Sequence, residues 1–243
     1  MLILVAAVVI VLGVVLRRGI WPARWVIGGW HSVKAYVVTA PASFLYVLII
    51  GVTTFVLVSS ADALSELLLT SRSSTLQVLL ARPFRGFVQS ALWVATPIEF
   101  PVAILYATLL APVERWLGSL RWIIIVVLGH VLATLLVAIL IWGMVRGGWV
   151  GDGATRGIDV GVSYAFGAVA GTFTYLLRGR LRAAYVAVLL GVLVLILIAE
   201  PSFTAVGHIA AVLIGLALGA YLKEQAPAVD PAAPIYPRPL WRP

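Results

Sequence analysis

The chain contains no cysteine, which excludes disulfides and thiolate metal sites. Charge is nearly as scarce. Only 11% of the 243 residues are charged, against about a quarter in an average soluble domain. Histidine occurs three times and Asp plus Glu nine times. No phosphate-binding glycine loop, metal-ligand cluster or nucleic-acid motif can be found, so no cofactor and no nucleic-acid partner is expected. What fills the chain instead is apolar: 63% of it is hydrophobic, with a mean hydropathy of +1.11. That composition predicts an all-α polytopic membrane protein, to be divided into spans of about 20 residues rather than into globular domains. The net charge of +8 then reads as topology signalling and contact with anionic headgroups of membrane lipids.

Residues 1–16 are apolar and precede Arg17-Arg18. A signal peptide carries its charges before the apolar run, so this segment is expected to be an extra transmembrane helix. At about 24 Å it is short for a crossing, and an interfacial helix is the alternative. Residues 17–40 form a basic, Trp-rich interfacial segment, completing an N-terminal unit of 1–40. A membrane core follows over 41–222, with spans at about 41–60, 87–112, 122–145, 159–177, 182–198 and 203–222. The connection 61–86 alternates Leu, Val, Ser and Thr and supports a partly embedded amphipathic hairpin. Glu114 to Arg121 reads as a polar turn and 146–158 as a Gly-rich loop. The Pro- and Ala-rich tail 223–243 is expected to be disordered and cytoplasmic. With the N-terminus outside, inner segments hold twelve basic residues and outer segments five, a positive-inside pattern.

Two stretches carry candidate chemistry. Asp159-Val-Gly161-Val-Ser163-Tyr164 opens a Gly-spotted apolar run, and Gly207-His208 opens the last one. A serine and a histidine at the same depth on two helices suggest a nucleophile and its base. The bland alternatives are a serine bonded to a backbone carbonyl and a histidine partnered by Ser202 or Thr204. Asp159, four residues before Ser163, suits an N-cap and stands where it could orient His208. His130, inside a span, is a functional candidate by default. Depth counted from the span ends puts it far from Ser163 and favours a polar interhelical contact. Glu99, between Pro97 and Pro101, is the other charge within a span; it would repel an oxyanion when ionised and donate when protonated.

These residues resemble the rhomboid family of intramembrane serine proteases. Phe84-Arg85 is similar to the family's Trp-Arg motif. Glu114 to Arg121 matches its Glu-x-x-x-Gly-Ser-x-Arg turn, and Gly161-Val-Ser163 matches the front of its Gly-x-Ser-Gly motif. Gly207-His208 with Gly215 and Gly219 is similar to its final helix. The resemblance implies a six-helix core, preceded here by one extra helix, with Ser163 and His208 as the catalytic pair. Its partners would be transmembrane segments of substrate or client proteins, and its compartment the bacterial plasma membrane. The family's His-x-x-x-Asn is replaced: counting back from Glu114 puts Ile98 and Val102 at those positions. Neither can donate a hydrogen bond, and losing one oxyanion donor costs about 10²–10³ in rate. Tyr164 stands where the family has the glycine after its serine, and its side chain is expected to obstruct the amides around the oxyanion. The resemblance therefore implies either an intramembrane serine peptidase or an inactive relative that binds client helices.

Overall fold

The structure, a computed structural model, describes residues 36–94, 96, 99–156 and 162–225. The expected N-terminal helix, Asp159, Gly161, Ile98 and the tail beyond Gln225 lie outside the described residues. The described helices are α1 (Pro41–Ser59), α2 (Asp62–Arg72), α3 (Leu76–Ala81), α4 (Pro83–Ser90) and α5 (Glu99–Leu117). They continue with α6 (Ser119–Arg146), α7 (Val162–Phe173), α8 (Gly179–Ala199) and α9 (Phe203–Leu222). No strand occurs among the described residues. Four helices, α1, α6, α8 and α9 with its short extension to Gln225, are long and apolar enough to cross a membrane. Leu45, Leu48, Val52, Phe55 and Val58 on α1 are exposed, a lipid-facing stripe that would be unstable in water.

α1 starts without a side-chain cap from its own sequence. Pro41 has no N–H to satisfy. Ala42 N donates to Glu114 Oε1 (2.9 Å) and Ser43 N to Glu114 Oε2 (2.7 Å). Phe44 N already reaches Ala40 O, so the orphan donors of this helix end are accounted for. Ser43 Oγ and Ser119 Oγ donate to the same carboxylate, at 2.7 and 2.6 Å. Glu114 is 1% exposed. It is a buried anion placed against the positive end of a helix. The turn behind it is tighter than the sequence reading: α5 continues to Leu117 and only Gly118, at φ +84°, separates it from α6.

The second core span also differs from its expected bounds of 87–112. α4 ends at Ser90, residues Ala91–Val94 are not helical, and α5 begins at Glu99. The unwound carbonyls are held by α1: Tyr46 OH donates to Ala91 O (2.6 Å) and Thr53 Oγ1 to Leu92 O (2.7 Å). Those two bonds replace the helical ones that a continuous span would make. Between α1 and α4 the connection is helical, as α2 and α3, with Leu64, Leu67 and Leu80 exposed, as are Phe84 and Val88 on α4. Arg85 bonds Gln89 on its own helix (Nε to Oε1, 3.1 Å).

α7 sits at the centre. It has only 12 residues, about 18 Å of helix, and ten of them are buried. α6, with 28 residues, and α9 flank it. Small residues let the three approach closely. A Cβ on Gly215 would run into Ala168 O and stand 2.6 Å from Ala168 C; one on Gly171 would run into Val212 O. The Thr172 hydroxyl is shared between Gly215 O across the contact (2.9 Å) and Ala168 O of its own helix (3.1 Å).

Candidate active site

Ser163 is the second residue of α7, and His208 the sixth of α9. The close α7–α9 packing brings the two side chains together: His208 Nε2 lies 2.8 Å from Ser163 Oγ, hydrogen-bond distance for a nucleophile and its base. Both residues are partly buried. The alternative partner Ser202 is engaged elsewhere, since its hydroxyl accepts from Ala205 N (3.1 Å) and caps α9. When Ser163 donates to Nε2, the imidazole carries its own hydrogen on Nδ1. His208 Nδ1 is buried and has no hydrogen-bond partner among the described residues.

Tyr164 follows Ser163 on α7. Its side chain is fully buried and turns into the α7–α9 contact. A Cβ on Gly207 would run into its ring and hydroxyl, so the residue before His208 has no side chain where the tyrosine passes. The Tyr164 ring meets His208 edge to face, with centroids 5.3 Å apart and planes at 74°.

His130 lies nearer the pair than depth counting places it. Its ring centroid is 6.5 Å from that of Tyr164, and the neighbouring Gly129 packs on Ala168 of α7. The histidine makes the expected polar contact between helices, here from α6 to α4. His130 is 2% exposed, with Nε2 3.0 Å from Phe87 O and 3.2 Å from Ser90 Oγ. Sequence reasoning had not singled out Ser90. Its only signal is a small polar residue between Gln89 and an apolar run.

Of the remaining candidates, Glu99 is the first residue of α5, and Val102 stands one turn further on. Among the described residues no three His, Asp or Glu side chains gather to hold a metal ion. The arrangement as a whole can activate a hydroxyl within a bundle of apolar helices.

No curated protein and no solved structure matches the chain. The family model described as rhomboid-like protein matches residues 35–227. That range takes in α1 to α9, the Glu114 turn and both members of the Ser163–His208 pair, and the chain belongs to the family of rhomboid-like proteins.

Proposed function

We propose that this rhomboid-like protein is an intramembrane serine peptidase. The 2.8 Å contact between Ser163 Oγ and His208 Nε2 carries the reading. His208 takes the Ser163 proton as Oγ attacks a peptide carbonyl of a transmembrane segment. The proton then passes from Nε2 to the departing amine, and a water hydrolyses the acyl-enzyme with His208 again as base. Ser163 near the start of α7 supports a role for the backbone N–H groups of that helix end. They are the oxyanion donors this chain offers in place of the family's His and Asn, and the positive helix end adds to their effect. Asp159, four residues before Ser163, is the carboxylate available to orient Nδ1 of His208.

A second reading, a client-binding relative without activity, is favoured by Ile98 and Val102, whose side chains have no donor. Reconstitution into liposomes with a panel of single-span membrane proteins separates the two. The peptidase reading expects new termini within or beside a span for wild type, and none for Ser163→Ala. Retention of uncleaved spans by wild type and Ser163→Ala alike would establish the client binder.

A further inference from the structure

Three rings from three helices stand in a row: His130 on α6, Tyr164 on α7 and His208 on α9. We propose that Tyr164 and, through it, His130 are positioning residues that hold the His208 imidazole on Ser163. The proposal rests on the reading of Ser163 and His208 as a working pair, but it concerns residues outside that pair.

The inner contact is closely constrained. Tyr164 presents its ring to His208 at 5.3 Å and 74°, within the range where aromatic pairs attract through edge and face. The ring has no freedom to leave, since it is fully buried and passes over Gly207. Ser163 and Tyr164 are consecutive, as are Gly207 and His208. The same two dipeptides therefore make both the hydrogen bond and the ring contact. His208 is held at Nε2 by the serine and on its ring by the tyrosine.

The outer contact fixes the tyrosine from behind. His130 lies 6.5 Å from Tyr164 with planes at 31°, and its own position is set by α4. Phe87 O can only accept, so the 3.0 Å contact to His130 Nε2 places the imidazole hydrogen on Nε2. Ser90 directs its hydroxyl hydrogen to Gly86 O at 2.8 Å, leaving its oxygen to accept from His130 at 3.2 Å. This second serine–histidine contact thus has the opposite polarity to the first. Here histidine donates and serine is not activated. Phe87 closes the edge of the His130 ring, with centroids 6.4 Å apart at 85°. Ser90 is fully buried, so the anchor is shielded from competing water. A chain of fixed contacts runs from α4 through His130 and Tyr164 to His208.

The test uses the full chain in lipid nanodiscs with isotope-labelled histidine. Its three histidines, His31, His130 and His208, are assigned by single substitution, and the His208 ring resonances report its placement directly. Second-order labelling by a fluorophosphonate is measured on the same samples. Tyr164→Phe keeps the ring and should leave both readouts near wild type. Tyr164→Leu removes it, and should shift or broaden the His208 resonances and slow labelling about three- to tenfold, the worth of one aromatic pair. His130→Ala should move the His208 resonances when Tyr164 is present, and add nothing in the Tyr164→Leu background. His208 resonances unchanged in both Tyr164→Leu and His130→Ala would overturn the proposal. Should Tyr164→Leu not fold, His130→Ala against Tyr164→Phe decides it by the same resonances. Wild type that is not labelled at all, with His208 still moved by the substitutions, would remove the peptidase reading and leave the positioning role standing.

Discussion

Replacing Glu114 by Gln tests how the bundle is held at the start of α1. The carboxylate accepts four hydrogen bonds: Ala42 N and Ser119 Oγ on Oε1, Ser43 N and Ser43 Oγ on Oε2. An amide keeps one oxygen. Whichever way it turns, its NH2 group faces one hydroxyl and one backbone N–H. The hydroxyl can rotate and accept; the N–H cannot, and it stays buried without a partner. That loss costs about 1–3 kcal/mol, and loss of the charge at the helix N-terminus adds about 0.3–1 kcal/mol, more where the site is buried. Together they come to about 1.3–4 kcal/mol. Glu114→Ala orphans two N–H groups and should cost more. Ser119→Ala removes one hydroxyl and should cost about 1 kcal/mol. Reversible unfolding in mixed micelles, followed by tryptophan fluorescence, measures all three. Glu114→Gln within 0.5 kcal/mol of wild type (about the spread of a neutral surface change) would show that the carboxylate is not the cap of α1.

Gly215→Ala should destabilise the bundle by about 3 kcal/mol or more, since the added methyl meets backbone of Ala168 that cannot rotate away. Gly191→Ala is its control: nothing stands within 4 Å of a Cβ there, and better helix propensity should stabilise α8 by up to about 1 kcal/mol. Thr172→Val keeps the shape and removes the hydroxyl shared by Gly215 O and Ala168 O; the same unfolding assay should show a loss of about 1 kcal/mol. Gly207→Ala pushes the Tyr164 ring and displaces His208 with it, so fluorophosphonate labelling should fall about 10- to 100-fold while secondary structure by circular dichroism stays unchanged.

Helices bounded by strong local signals were legible in the sequence. α9 begins after Ser202, whose hydroxyl caps it, and its observed bounds of Phe203–Leu222 coincide with the reading from the apolar run. Bounds set by tertiary contacts were not legible. Pro97 and Pro101 mark an interruption in the run from Phe87, yet the chain unwinds earlier, at Ala91, where Tyr46 and Thr53 of α1 hold carbonyls that a helix would use. The Ser163–His208 contact was within reach, since both residues open Gly-rich helices whose small residues imply close approach. The surroundings of the pair were not. Tyr164 could be weighed only by its size, whereas its direction is set by the gap at Gly207, 43 residues further along the chain. The nearness of His130 to Tyr164 was not legible either, because it depends on the direction of the Tyr164 ring and on the packing of Gly129 against Ala168.

Fluorophosphonate labelling with the adduct located by peptide mapping tests the central claim most directly, that Ser163 is an activated nucleophile. The account predicts phosphonylation of Ser163 in folded wild-type protein. Labelling should vanish in Ser163→Ala and be lost in His208→Ala, because the unassisted hydroxyl is a weak nucleophile. Folded wild-type protein that takes up no label at Ser163, or labelling that survives His208→Ala undiminished, would contradict it.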